Sequence, residues 1–332
     1  MEVLSLQSEP LTSDLNTSDL GVPVLLRVCV IGCGAVGSLF AAHLARKGEA
    51  EVWAYDLWKE HIDAIRKNGL RLSGAADFTA KLNATTDASQ LPRCDYGIVA
   101  TKAIHTRNAI AQAARAFDES SAVCSVQNGV GNEEIIAEYV KHVIRGTTFP
   151  AGHPIAPGHI GFDIAGDTWI GPFEPTNTPM FRVEELAALI TRSGMNTIAL
   201  ADARGAQWTK LVFNAATNPV GGLTLLHHGA ATRFAPTGQL FNELIAEGES
   251  VAKALGIKLH GDPRALVQKG ANAPGKHRAS MLQDILAKRQ TEVDFMNGAI
   301  VKSGEQVGIA TPLNKAVWEL IKGLEHSWSD PE

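Results

Sequence analysis

Residues 25–56 restrict the fold of this chain more than any other stretch. Leu25-Leu26-Arg27-Val28-Cys29-Val30-Ile31 is the aliphatic and β-branched run of a strand buried on both faces. Gly32-Cys33-Gly34-Ala35-Val36-Gly37 follows at once. Residues 38–48 then read as a helix closed by glycine, and residues 51–55 as a second strand that ends at Asp56. Gly32 permits a tight turn, Gly34 lets backbone approach a pyrophosphate, and Gly37 lets helix and strand pack closely. The start of the helix offers unpaired N–H groups and a positive dipole end to an anion. A bare GxGxxG says little. With a strand before it, a helix after it and an acid about 20 residues on, it becomes a dinucleotide-binding fingerprint. Asp56 is expected to hydrogen-bond a ribose 2′-hydroxyl and to repel a 2′-phosphate, although a turn or helix-cap role would suit it too.

Two further strands end in polar residues. Residues 96–100 run into Thr101-Lys102, and residues 122–126 run into Gln127-Asn128-Gly129. Ligands of doubly wound sheets sit beyond the carboxyl ends of the strands, so Lys102 and Asn128 are aimed at the place of a nicotinamide. Asn128-Gly129 equally suits a simple turn. Between residues 146 and 171 glycine and proline cluster. The pieces at 159–164 and 168–170 are expected to be short antiparallel strands extending the sheet. Residues 180–192 read as a helix and 196–200 as a last strand.

From Asp202 onward glycine-bounded helical patterns dominate, at about 204–218, 237–255, 263–271, 280–302 and 312–325. A length of 332 residues suits about two domains. The expected organisation is a loose tail (1–26), a dinucleotide-binding domain (27–201) and a helical domain (202–328). The fold class is α/β: a Rossmann-type doubly wound sheet with a second, all-helical domain.

Composition excludes several functions. Thirty basic and 35 acidic residues give a net charge of -5, which offers no footprint for nucleic acid or an anionic membrane. Cys29, Cys33, Cys94 and Cys124 form no CxxC pair, and the histidines show no HExxH spacing, so reduced thiols and no metal are expected. Residues 1–26 lack lysine and arginine and read as a mildly acidic tail, neither signal nor transit peptide. The uncharged run 28–45 approaches the length of a membrane span, but its glycines divide it into strand, turn and helix. A cytoplasmic location is expected, and a homodimer is left open.

Trp208-Thr209-Lys210-Leu211-Val212-Phe213-Asn214-Ala215-Ala216-Thr217-Asn218-Pro219 places one ammonium and two amides in an apolar run. Lys210, Asn214 and Asn218 fall at i, i+4 and i+8, one stripe of a helix just past the domain boundary. That stripe is expected to face the interdomain cleft, where pockets form. Lysines also snorkel to water, and Asn218 before Pro219 could simply end the helix. Ser280 with Gln283 reads as a capping box, and a helix start also suits a substrate carboxylate. Glu292, beside Val293, Phe295 and Met296, is expected to be partly buried on the same long helix.

Together, GCGAVG at 32–37, QNGVG at 127–131, WTKLVFNAATNP at 208–219 and SMLQDILAKRQTEVDFMNG at 280–298 resemble the ketopantoate reductase (2-dehydropantoate 2-reductase) family. The resemblance covers roughly residues 27–325. It implies a Rossmann-type domain followed by a helical domain like that of 6-phosphogluconate dehydrogenase. It implies reduction of 2-dehydropantoate to (R)-pantoate, a step of pantothenate and coenzyme A biosynthesis. By that resemblance Lys210 is the general acid that protonates the carbonyl oxygen, and Glu292 supports catalysis and reaches the cofactor. Asn128 touches cofactor and substrate, Asn214 and Asn218 hold the substrate's hydroxyl end, and Ser280 binds its carboxylate. Lys102 lies near the nicotinamide ribose, and Gly32, Cys33, Gly34, Ala35, Val36 and Gly37 form the pyrophosphate cradle.

The implied cofactor is NAD(P)H. Many members prefer NADPH and carry a basic residue after the second strand, where this chain has Asp56. Asp56 favours NADH, while Lys59 and Arg66 keep NADPH open. His228 stands where the family can carry asparagine, as does a residue near His277, which leaves the particular 2-oxo acid open. Two rivals remain: a reductase of another 2-oxo acid or of an imine, and a nicotinamide-sensing protein without turnover. The sensor would have no use for Lys210, Asn214, Asn218 and Glu292 together.

Overall fold

The computed structural model describes residues 25–272 and 279–329. The tail expected at 1–26 lies outside the described residues up to position 24, as does His277. Twelve strands are present among them: β1 (Leu26–Ile31), β2 (Ala50–Tyr55), β3 (Leu70–Gly74), β4 (Phe78–Ala80), β5 (Asn83–Thr85), β6 (Tyr96–Val99), β7 (Ala122–Ser125), β8 (His142–Thr148), β9 (Ala151–Ala156), β10 (His159–Ile164), β11 (Thr168–Pro172) and β12 (Thr197–Ala199). The α-helices of the sheet-bearing half are α1 (Ala35–Arg46), α2 (Lys59–Asn68), α3 (Thr106–Ala113), α4 (Asn132–Ala137) and α5 (Met180–Ser193). The helical half holds α6 (Arg204–Thr224), α7 (His228–Arg233), α8 (Ala235–Ala254), α9 (Pro263–Asn272), α10 (Ser280–Leu286), α11 (Asn297–Val307) and α12 (Pro312–Ser327).

The main sheet has the order β12-β11-β8-β7-β6-β1-β2-β5. From β5 to β8 every pairing is parallel, the doubly wound arrangement. Chain order reverses between β1 and β6, so a crevice opens beyond Ile31 and Val99, between the glycine turn and Thr101-Lys102.

One expectation about this half needs correcting. β11 does extend the main sheet, antiparallel to β8. β10 does not. It pairs antiparallel with β9 but parallel with β3, in a separate sheet of order β4-β3-β10-β9. α1 packs against both sheets and is buried continuously from Gly37 to Leu44. A helix covered on both sides can be apolar all round, which explains the uncharged run 28–45 without a membrane. No helix of the described residues is long and apolar enough to cross one.

α6 is the central helix of the second core, where Trp208, Leu211, Val212, Ala215, Ala216 and Val220 pack with Phe241, Leu244, Met281 and Ile300. It runs past the expected stop at 218 and through Pro219 to Thr224. Proline leaves the carbonyl four residues earlier without its helical donor. Here that carbonyl, Ala215 O, accepts from Asn297 Nδ2 at 2.8 Å. A buried side chain replaces the missing N–H, so Asn218 stays within the helix.

The helix expected at 280–302 is broken. α10 ends at Leu286, Lys288 takes a left-handed φ of 49°, and a 3₁₀ turn at Val293–Phe295 precedes α11. Apolar spacing continues through the break, so periodicity could not reveal it. Thr291 fixes the loop by donating through N and Oγ1 to Glu325 Oε1, at 2.8 and 2.6 Å. The capping box also fails. Ser280 is the first helical residue, and Ala279 occupies the N-cap.

Candidate active site

The glycine turn has the shape of an anion cradle. Gly32 adopts φ +87°, and its N–H donates to Tyr55 O at 2.8 Å. A Cβ there would lie 2.5 Å from Thr101 N, and one at Gly37 would lie 1.8 Å from Gly32 O. Gly34 is different, because a Cβ there would meet no atom within 4 Å. Gly34, Ala35 and Val36 are partly exposed, while Cys33 and Gly37 on either side are buried. No side chain caps α1, and its first turn holds no acid. Open space over uncapped N–H groups is what a bound pyrophosphate requires. The residues present therefore fit the dinucleotide.

Asp56 braces this turn. Its Oδ2 accepts from Cys33 N at 2.6 Å and its Oδ1 from Trp58 N at 2.8 Å. The carboxylate remains partly exposed, with lone pairs to spare for hydroxyl donors. Of the two nearby bases, Lys59 pairs with Asp63 at 2.5 Å. Arg66 lies 3.6 Å from the same carboxylate and donates to Ala84 O at 2.7 Å.

On the far side of the crevice, Lys210 projects from α6 to the end of β8. Its Nζ donates to Thr148 O at 2.5 Å and stands 5.4 Å from the centre of the Phe149 ring. Desolvation lowers its pKa to about 8, opposed by the attraction of Glu292. Glu292 is buried in the loop before the 3₁₀ turn. Its Oε1 accepts from Ala103 N at 2.8 Å, and its Oε2 lies 3.4 Å from Asn128 Nδ2. Burial raises its pKa, against the pull of those donors and of Lys102. The helix break thus sends one carboxylate across to the loops after β6 and β7.

Those loops fit the second half closely. Gly129 has φ +86°, and a Cβ there would lie 2.3 Å from Phe295 O. Val130 N donates to the same carbonyl at 3.0 Å. The glycines of QNGVG let the loop bearing Asn128 lie against the turn bearing Glu292. Lys102 forms an ion pair with Asp284 on α10, and Asp284 also holds Arg289 at 3.1 Å. The structure therefore brings Lys210, Glu292, Asn128 and Lys102 into one connected cluster.

Asn214 and Asn218 lie one and two turns beyond Lys210, both largely buried. Asn218 Nδ2 approaches Met296 Sδ at 3.8 Å, while the Asn214 amide bonds to none of the described residues. Ser280 is exposed at the first position of α10, one turn before Asp284, the partner of Lys102. Among the described residues no hydrogen bond joins it to Lys210 or Glu292. His228 packs between Phe213 and Phe241, at ring separations of 5.9 and 6.3 Å.

Sequence reasoning missed Thr148, Asp284 and Gln207. Thr148 acts through its backbone carbonyl, which no residue type announces. Asp284 has the spacing of an ordinary helix-surface acid. Gln207 sits one turn before Lys210 and extends the polar stripe, a signal that could have been read. Among the described residues no group of His, Cys, Asp and Glu could hold a metal ion.

Known proteins share this two-part architecture. Residues 28–175 match the family model described as ketopantoate reductase PanE/ApbA, and residues 202–325 match its C-terminal companion. A 2-dehydropantoate 2-reductase from Archaeoglobus fulgidus is 33% identical over 299 residues, covering 90% of this chain and 98% of the relative. The crystal structure of a PanE/ApbA family ketopantoate reductase from Ralstonia eutropha JMP134 matches with a TM-score of 0.83 and 28% identity. It covers 92% of this chain and 100% of that one. D-mandelate dehydrogenase, in its ternary structure with NADH and anilino(oxo)acetate, shares the fold at a TM-score of 0.84 and 24% identity, over 92% of this chain and 100% of its own. With both halves matched and the site connected across them, this chain belongs to the ketopantoate reductase PanE/ApbA family.

Proposed function

We propose that this chain reduces 2-dehydropantoate to (R)-pantoate with NADH, in the cytoplasm, as a step towards pantothenate and coenzyme A. One observation carries the reading: a half-buried ammonium, drawn by Glu292, stands in the crevice at the carboxyl ends of the parallel strands. The Archaeoglobus relative's name supports the substrate. Four buried free thiols support the location.

A reduced nicotinamide held at the glycine turn would supply the hydride. The substrate's carbonyl oxygen gathers negative charge as the new C–H bond forms. Lys210 Nζ gives that oxygen its proton and is left as a neutral amine. A pKa of about 8 leaves the lysine charged at neutral pH yet ready to release the proton. Thr148 O orients the ammonium, and the charge of Glu292 keeps it from losing its proton earlier. Asn128 stays beside Glu292 and presents its amide to the crevice. Asn214 and Asn218 take the hydroxyl end of the substrate, and Ser280 at the start of α10 takes the carboxylate. Lys102, steered by Asp284, binds the ribose next to the nicotinamide.

Asp56 favours NADH for two reasons. Its carboxylate would repel a 2′-phosphate, and the two bases that follow it on α2, Lys59 and Arg66, pair with Asp63. A second reading, another 2-oxo acid, is favoured by His228, which packs against Phe213, the residue before Asn214 on α6. A panel of 2-oxo acids, scored by loss of reduced-nicotinamide absorbance, tests both. The proposal predicts the highest kcat/KM for 2-dehydropantoate and overturns if another acid exceeds it.

A further inference from the structure

Gln207 is buried on α6, one turn before Lys210. Its Nε2 donates to Glu133 Oε1 at 2.8 Å and to Gly129 O at 3.3 Å. Its Oε1 accepts from Arg145 Nη1 at 2.6 Å. Glu133 lies in the first turn of α4, directly after the loop that carries Asn128. Arg145 lies on β8, three residues before Thr148, whose carbonyl takes the Lys210 ammonium. One amide therefore ties α6 to the Asn128 loop, to α4 and to β8. Only a side chain that both donates and accepts can serve an acid and a guanidinium at one point.

The surroundings give Gln207 little redundancy. Glu133 is fully buried, and its Oε2 has no hydrogen-bond partner among the described residues; neither has Arg145 Nε. The other arm of Arg145 reaches Glu174 at 3.0 Å. Three charged or titratable groups face Glu133: Arg145 from β8, Cys124 from β7 and Glu134 on its own helix. Burial pushes the Glu133 carboxyl up to about 7, with Arg145 and Gln207 drawing it back down.

We propose that Gln207 is a positioning residue for the reduction: by clamping α6 to the Asn128 loop and to β8 it sets the reach of Lys210 Nζ to the reacting carbonyl. The inference rests on Lys210 as the proton donor. Misplacement of a reacting group by about 1 Å can cost ~10²-fold in rate, so a distortion of this joint is legible in kcat.

The test exchanges the amide and the acid. Gln207→Glu sets a second carboxyl against Glu133 and removes the donor to Gly129 O. Its expected result is a kcat lower by ~10-fold or more, with the Kd for NADH within about 3-fold of native. In the double variant Glu133→Gln/Gln207→Glu position 133 donates to position 207 and Arg145 still meets an acceptor, so that only the longer contact to Gly129 O stays unmade. Its kcat is expected to return to within about 3-fold of native. A purely structural role would lower the melting temperature without this split or this rescue. Native kcat in Gln207→Glu, or a loss that a folded double variant fails to restore, overturns the proposal. If Gln207→Glu does not fold, Gln207→Met decides by the same kcat-against-Kd reading. Lys210→Ala measured alongside separates the two claims: native turnover there refutes the proton donor, whereas its loss beside a native Gln207→Glu refutes only the positioning role.

Discussion

The passage of α6 through Pro219 depends on Asn297, and that dependence has a calculable size. Asn297 is fully buried, and its Nδ2 donates to Ala215 O at 2.8 Å and to Asn314 Oδ1 at 3.0 Å. Asn297→Leu keeps the branched outline, with somewhat more volume, but removes both donors. Two buried acceptors then lose a partner, at about 1–3 kcal/mol each, so the loss of stability is expected at ~2–6 kcal/mol. Part of the loss is repairable from the opposite side. Pro219→Ala restores a backbone N–H that can reach Ala215 O, and in the Asn297→Leu background it should recover about 1–2 kcal/mol. The assay is denaturant unfolding of native, both single variants and the double, read as a double-mutant cycle. A coupling below about 0.5 kcal/mol would mean that the two residues act independently, and the account of the unbroken helix would be wrong.

Three further outcomes follow from the site. Lys210 gives up its proton as pH rises through about 8, so kcat should fall roughly tenfold per pH unit above that point. Lys210→Arg, whose guanidinium stays protonated, should lose this alkaline limb; a native kcat flat to pH 10 in the same titration, ~2 units above it, would contradict the assignment. A 2′-phosphate bearing about two charges, set some 4 Å from Asp56, costs about 1 kcal/mol per charge in water-like surroundings, which predicts a preference for NADH of ~30-fold in kcat/KM. Asp56→Asn keeps an oxygen for Cys33 N and should shrink that preference several-fold; a native preference for NADPH would overturn the reading. Ser280→Ala should raise KM for the 2-oxo acid by ~5–10-fold with kcat little changed, and steady-state kinetics showing an unaltered KM would remove serine from the carboxylate site.

The parts of the fold set by local rules were readable from residues alone. The strand, glycine turn, helix and acid of residues 26–56 each follow from neighbours in the chain, and β1, α1 and β2 stand where spacing put them. The stripe of Lys210, Asn214 and Asn218 was legible for the same reason, since a helix fixes which residues share a face. Features set by distant partners were not legible. β10 joins β3 because their edges meet in space, not because of its own pattern. The break between α10 and α11 is fixed by Glu325, far along the chain, while its apolar spacing imitates one helix. Helix α6 outlasts Pro219 only because Asn297 arrives from another element. Asp56 shows both levels at once: its place after β2 led to the expectation of a ribose contact or a cap, and its hydrogen bonds show a brace on the glycine turn.

Lys210→Ala, assayed for turnover and for NADH binding in the same preparation, bears most directly on the mechanism. With the ammonium gone and the glycine turn untouched, the Kd for NADH should stay near native while kcat falls by ~10²-fold or more. Turnover close to native in a variant that still binds NADH would show that the proton comes from elsewhere, and the crevice around Thr148, Glu292 and Asn128 would need another explanation.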